Sequence, residues 1–382
     1  MATSKVKPTS DIASGHAIRD ADTLLFLGAG ASQFAGYHTF RRFGELITDP
    51  LVRHLEQLPS QSDETPRLIL SLNQALRDMQ RPATHDNYLW LLTDYHNFCE
   101  KFDTHTGLQD RFPRIRDEIH SFNSTTVTVI NDLTQTTFCH YSRRRNTGRA
   151  GQEVRSLYED LASLNSRSKP FLPVFTTNYD LLIEDLFDES RTPVRVPLSN
   201  GIPGRVRGGE TWSPRAYDDV GIQLHRLHGC VAWFNRTPGQ ADATVAFDRP
   251  ERLDGDLLQR LCVMFPGREL QIGRNPHGFA FRRFYSHLLR CRRVVFVGFS
   301  FRDDDVMQIL LAANAARREA LQIIILDPRI EAAEVITNLN GAALRSPFQA
   351  LVPHDDTIRC LRTDFGAIGC RAQILAHLNL NN

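Results

Sequence analysis

The sequence predicts an α/β protein: a Rossmann-like, doubly wound, mostly parallel sheet with a large all-helical insertion. Three observations carry this. Four short runs are apolar without alternation, Thr23–Leu27, Phe171–Thr176, Val294–Val297 and Ile323–Leu326, as parallel strands covered on both faces must be. Each run leads into polar or glycine-bearing residues, the pattern of strands at the ligand-binding carboxyl edge of an open sheet. The long stretch 42–165 has helical periodicity and no convincing strand.

Taken in order, residues 1–17 are small and polar and are expected to form a flexible N-terminus. The first strand runs into Gly28-Ala29-Gly30-Ala31-Ser32. In the insertion, Leu68–Met79, Tyr88–Phe102 and Val127–His140 carry the helical period, with polar loops at 59–66 and 142–152. The run Arg143-Arg144-Arg145, with Arg149, reads either as a solvated loop or as a contact for nucleic acid or a partner. The second strand is followed by a helical pattern over Asp180–Phe187. Next comes a segment rich in Gly, Pro and Arg, Arg191–Asp219, expected to be a long functional or partner-facing loop. A further helical pattern, Asp303–Leu311, follows the third strand. The expected division is a sheet domain over 18–41 and 166–382 and a helical insertion domain over 42–165.

Composition sets outer limits. With 382 residues, 41% hydrophobic and 23% charged, the chain can bury a sizeable core and is not broadly disordered. Lys plus Arg number 45 against 44 Asp plus Glu, a net charge of +1. This argues against a surface built as a whole to grip nucleic acid and leaves only a local patch open. Lys occupies only positions 5, 7, 101 and 169, so Arg supplies nearly all the basic charge. That skew fits phosphate or carboxylate recognition, although a GC-rich coding sequence explains it more simply. The seven Cys form no C-x-x-C pair, and no two lie closer than ten residues. A paired-cysteine zinc module is not expected, and reduced thiols in a cytoplasmic protein are. The N-terminus has no apolar h-region and no run of about 18 apolar residues occurs, so a soluble protein is expected.

Five places carry possible chemistry. Gly28-Ala29-Gly30-Ala31-Ser32 follows a strand, where glycines let the backbone approach a pyrophosphate; a tight strand-to-helix turn needs glycines too, and Gln33 stands where a third Gly is usual. Thr176-Thr177-Asn178-Tyr179-Asp180 ends a strand and supplies either ligand contacts or a helix cap. Leu224-His225-Arg226-Leu227-His228-Gly229 offers a general base near neutral pH, a metal ligand or a structural His. Val297-Gly298-Phe299-Ser300-Phe301-Arg302-Asp303 again joins strand to helix. Asp327 ends a strand, where a carboxylate can accept from ribose hydroxyls.

The order G-A-G-A-S, T-T-N-Y-D, L-H-G, V-G-F-S-F-R-D resembles the sirtuin-like family, and within it the bacterial zinc-less branch that includes anti-phage NAD hydrolases. The resemblance spans about 20–41 and 170–370 and does not reach the helical stretch. It implies NAD extended across the carboxyl edge of the sheet, with Gly28, Ala29, Gly30 and Ser32 around the pyrophosphate. Gly36-Tyr37-His38-Thr39-Phe40-Arg41 occupies the place of the family's G-I-P-D-F-R loop and agrees at Gly36, Phe40 and Arg41. Asn178 falls on the family's Asn, which orients a water or the nicotinamide ribose. Asp180 falls on the residue that holds the carboxamide, and Thr177 is expected among the NAD-binding residues. His228 falls on the catalytic His. Gly298 and Ser300 would meet phosphate or ribose, and Asp327 the adenosine ribose.

Breaking a nicotinamide–ribose bond passes through an oxocarbenium-like state. It needs a grip on the departing group, a base near the ribose and a nucleophile on the opposite face. Asp180, His228 and Asn178 are suitable residue types. Without Cys pairs, and without the family's F-G-E-type peptide segment after His228, water is the expected nucleophile. The implied function is an NAD hydrolase acting as effector of anti-phage abortive infection. The alternatives are a protein deacylase or ADP-ribosyltransferase, or an idle module that senses NAD or ADP-ribose. NAD is expected as substrate with no zinc. Self-assembly is expected, or activation by a partner such as a helicase-like hexameric ATPase or an Argonaute-type protein.

Overall fold

The computed structural model describes residues 20–37, 135, 138–188, 193–202, 210–217, 221–237, 240–246, 260–263, 275–345, 353, 357–367 and 369–379. Phe40, Arg41, the expected flexible N-terminus and the insertion through 134 lie outside these residues.

Among the described residues, seven parallel strands form the central sheet: β1 (Thr23–Leu27), β2 (Phe171–Thr176), β3 (Leu198–Ser199), β5 (Gly221–Arg226), β9 (Arg293–Val297), β10 (Gln322–Leu326) and β11 (Ile358–Leu361), in the order β11-β10-β9-β1-β2-β5-β3. From β1 the chain builds outward through β2 and β5, then returns to the other side of β1 for β9, β10 and β11. The winding therefore reverses between β1 and β9. Such a reversal opens a crevice at the carboxyl ends of the strands.

The apolar runs have no alternation because both faces of the sheet are covered. In β1, Leu25 and Leu27 enter one core while Leu24 and Phe26 enter the other. Val295 and Val297 of β9 divide from Val294 and Phe296 in the same way. The first face is covered by α1 (Gly148–Asn165), through Val154, Leu157 and Leu161, and by α6 (Cys370–Asn379), through Ile374 and Leu378. The second is covered by α3 (His277–Leu288), α4 (Asp304–Ala316) and α5 (Ala332–Arg345), through Phe284, Leu310 and Leu339. The stretch expected to be a separate helical insertion thus ends in a helix that packs on the sheet. Asn165 ties the end of α1 to two strands. Its Oδ1 accepts from the Thr23 amide at 2.8 Å, and its Nδ2 donates to the carbonyls of Thr23 (2.8 Å) and Phe171 (2.9 Å).

Four further strands, β4 (Glu210–Thr211), β6 (Gly229–Thr237), β7 (Gln240–Ala246) and β8 (Leu261–Val263), make an antiparallel sheet in the order β4-β7-β6-β8. Its inner residues, including Trp233, Phe234, Val245 and Cys262, join the first core. No helix among the described residues is long and apolar enough to cross a membrane.

Candidate active site

The pairing register places the site. Leu361, Leu326, Val297, Leu27, Thr176 and Arg226 are successive partners in one row across six strands. One step beyond that row stand Asp327, Gly298, Gly28 and Thr177. Two steps beyond it, on the neighbouring strands β2 and β5, stand Asn178 and His228. Residues far apart in sequence thus leave the sheet at one level, along the crevice edge.

At the reversal point the backbones of β1 and β9 nearly touch. The Gly28 amide donates to Val297 O and the Gly30 amide to Gly298 O, both at 2.9 Å. A Cβ on Gly298 would lie 2.4 Å from the Gly30 backbone, and Gly298 has φ +56°. The glycines are therefore required by chain-to-chain contact as well as by any ligand. A cleft of about 410 Å³ opens beside them, lined in part by Gly30, Phe34, Gly298, Asp327, Asp364 and Phe365. Ala29 begins the short 3-10 helix Ala29–Ala35 that leads from this edge. Ser300 is exposed, and its carbonyl accepts from Asn338 Nδ2 at 3.3 Å. Asp327 Oδ1 accepts from the amides of Arg329 (2.9 Å) and Ile330 (3.2 Å), which fixes the carboxylate at the cleft.

Beneath the turn lies a polar cluster. Asn178, 8% exposed, donates through Nδ2 to Gly28 O (2.9 Å) and to Ser32 Oγ (3.1 Å). Its backbone is set by Thr176, whose hydroxyl accepts from the Asn178 amide (3.0 Å) and donates to Leu27 O (3.0 Å). The Thr177 amide donates to the same Leu27 carbonyl at 3.3 Å. Asn178 Oδ1 is buried with no hydrogen-bond partner among the described residues, so one acceptor remains for a ligand or water. Ser32, 3% exposed, points inward; its hydroxyl also binds Asp180. Asp180 is buried and accepts the Leu182 amide at 3.0 Å, which starts α2 (Leu182–Leu186). Burial raises the Asp180 carboxyl above the ordinary carboxylate range, although Arg226, the Leu182 amide and Ser32 pull the other way.

Arg226, which the motif reading left without a role, underpins the cluster. It is 1% exposed; Nη1 donates to Asn178 O at 2.9 Å, while Nη2 reaches both oxygens of Glu184 at 2.8 and 2.6 Å. A charged residue ending an otherwise buried strand is the signal that would have found it.

His228 follows in a clamped turn. The Leu227 amide donates to Thr176 O at 2.9 Å, and Leu227 O accepts from His277 Nδ1 at 3.0 Å. Gly229 has φ +77°, and a Cβ there would meet Cys262 O at 2.1 Å. The His228 side chain, 17% exposed, sets Nε2 3.1 Å from Asp303 Oδ2. Burial works against its charged form, but the charge and hydrogen bond of Asp303, with Asp305 beyond, hold its pKa above the usual imidazole value. The Tyr179 ring lies 6.5 Å from the imidazole. The second His of the motif, His225, is a core residue. Fully buried, it stacks on Phe175 (4.8 Å) and Tyr217 (4.4 Å). Desolvation, then His287 and Arg283, hold its pKa well below the ordinary value, so it stays neutral.

Residues 173–343 match the family described as the SIR2-like domain, and that segment is sirtuin-like, as three of the four motifs indicate. The fourth, G-A-G-A-S, precedes it and joins it through β1. No curated protein matches the chain. Among solved structures, the chain is similar to a mutant Sir2 homologue in complex with ADP-ribose, at 12% identity and a TM-score of 0.43, covering 94% of this chain and 93% of that one. It is likewise similar to a Sir2 homologue in complex with NAD, at 12% identity and a TM-score of 0.42, covering 94% and 90%.

Proposed function

We propose that the protein is an NAD hydrolase that cleaves the nicotinamide–ribose bond to give nicotinamide and ADP-ribose. The observation that carries this is the shared edge. A glycine-lined cleft with an anchored carboxylate continues, on the same row of strand ends, into an Asn with a spare buried acceptor and a His poised as a base. An extended dinucleotide is the ligand that uses both ends at once. Gly30 and Gly298 would meet the pyrophosphate and Asp327 the adenosine ribose. Asn178 Oδ1 would orient the attacking water, with Ser32 and Arg226 holding Asn178 still. Asp180 would receive the carboxamide once the turn opens toward it, and Phe40 and Arg41 are assigned to the loop over the nicotinamide ribose. His228 takes the proton from water as nicotinamide departs.

Water is favoured over an acyl-lysine substrate because the segment after His228 is an apolar-cored antiparallel sheet and the sequence carries no Cys pair. The biological role that fits NAD depletion is a cytoplasmic anti-phage effector, silent until self-assembly or a partner protein activates it. Direct nucleic-acid contact is assigned no part in it.

The test is to incubate the purified full-length chain with NAD, alone and with the product of a neighbouring gene, and to quantify free nicotinamide and ADP-ribose. Asn178→Ala and His228→Ala are expected to lose about 100-fold or more in turnover. Full activity in either variant refutes the site. Label from NAD on protein, or acyl groups lost from a peptide, would assign transferase or deacylase chemistry instead.

A further inference from the structure

We propose that Asp303 is a positioning residue for His228: its carboxylate fixes the imidazole so that Nδ1 is the atom that accepts the substrate proton. This rests on the hydrolase reading but concerns a residue to which that reading assigns nothing.

The two oxygens of Asp303 are divided between two tasks. Oδ1 caps α4, accepting from the amides of Asp305 and Val306, each at 3.2 Å. Oδ2 faces His228 Nε2 at 3.1 Å. A helix cap alone needs one oxygen; the second is committed to the imidazole. The cap restrains the side chain, so the carboxylate is a rigid partner. The connection from β9 is held just as firmly. Gly298 and Phe301 both have positive φ, +56° and +55°. Phe301 is buried, with its ring 4.8 Å from Phe296 and 5.1 Å from Phe299. A bulky residue in the left-handed region persists only where its surroundings hold it there.

The consequence is chemical. A carboxylate can only accept, so neutral His228 donates its Nε2 proton to Asp303 and leaves the Nδ1 lone pair open. As water attacks the anomeric carbon, its O–H bond breaks, the electron pair forms the new C–O bond, and the proton goes to Nδ1. The C–N electron pair leaves with nicotinamide. The imidazolium so formed faces Asp303, which stabilises it. Groups around the imidazole, among the described residues, come from three elements. Asp303 and Asp305 belong to α4 and its cap, His277 and Phe281 to α3, and Tyr179 to the turn after β2. The two carboxylates raise the His228 pKa; His277, itself held down to about 4 chiefly by burial, stays uncharged near neutrality.

The experiment compares full-length wild type with Asp303→Asn and Asp303→Ser. Both side chains still cap a helix, but the single Asn oxygen is taken by the helix amides, and Ser is too short to reach the imidazole. Three readouts are taken: melting temperature, the His228 titration by NMR without substrate (assigned with His228→Gln), and the pH profile of kcat/KM for nicotinamide release. The expected result is near-native melting, a His228 titration and acidic limb both moved to lower pH, and a plateau lowered about 100-fold. An unmoved titration and limb would reduce Asp303 to a helix cap and overturn the proposal. A shifted titration with an unmoved limb in active protein would also overturn it. A shifted titration in a protein that never releases nicotinamide would keep the pairing and refute the hydrolase reading instead.

Discussion

A methyl group at Gly298 has nowhere to go. It would press on the Gly30 and Ala31 backbone at 2.4 Å, from a φ of +56° that side chains rarely adopt. Backbone on both sides cannot yield as a flexible side chain would. Gly298→Ala is therefore expected to cost about 1–3 kcal/mol of stability and to weaken ADP-ribose binding about tenfold or more, measured by calorimetry. Unchanged melting and binding would show that the β1–β9 approach is looser than described. Gly28 is under the same pressure from the opposite strand, its would-be Cβ lying 2.5 Å from Gly298 O. The G-A-G and V-G-F motifs are thus two halves of one contact. Each could be read alone as a turn or as a phosphate cradle; together they specify how closely two strand ends approach.

Strands and helices set which side chains can cooperate. The Arg226 guanidinium joins β5 to α2 through Glu184 and to the turn after β2 through Asn178 O. Arg226→Ala leaves Glu184 without that partner and the Asn178 carbonyl without its donor. Loss of one member of such a pair costs about 3–5 kcal/mol, so melting should fall by several degrees, and nicotinamide release should fall with it because Asn178 loses its brace. Arg226→Lys keeps the charge without the planar fork and should fall between the two. Stability unaffected in Arg226→Ala would mean that the clasp is dispensable. This element also shows where reading the chain fails. β1, β2, β9 and β10 were legible because continuous apolar runs announce burial on both faces. β5, Gly-Ile-Gln-Leu-His-Arg, was not: Gln223, His225 and Arg226 look like surface residues until the neighbours that satisfy them are known. The antiparallel sheet has no apolar signature either, its strands being short or interrupted by polar residues such as Asn235, Arg236 and Asp242.

Among the described residues, three buried imidazoles are neutral, and they make the fold sensitive to acid. Burial holds His277 at about 4 and His287 at about 3, and holds His225 well below its ordinary value. In the unfolded chain each titrates near 6.5. Below that pH the unfolded state binds more protons, so stability falls as pH drops from about 6.5 toward 4, by up to about 1.4 kcal/mol per pH unit for each group. Asp180, whose folded pKa is raised by burial, works in the opposite sense at the acid end. Urea unfolding at several pH values should show the decline. His287→Phe, placed among Phe171 and Phe175, should remove about one proton from the slope; an unaltered slope would exclude His287 as a contributor.

Much of the candidate site was readable from the chain. Asn178, Gly298 and Asp327 stand where apolar runs stop, and periodicity reports that boundary because burial of a strand is a property of neighbouring residues; His228, which follows the polar-looking β5, is marked by its motif alone. Residue type then narrowed the chemistry to a base, an amide, a carboxylate and a glycine turn. The fold alone showed that these boundaries form one row, that Ser32 turns inward to join Asn178 and Asp180, that Arg226 braces them, and that Asp303 faces His228. Those pairings depend on strand order and register, which arise from the packing of two cores by segments far apart in sequence. No local pattern records a partner that only the folded sheet brings within hydrogen-bond distance.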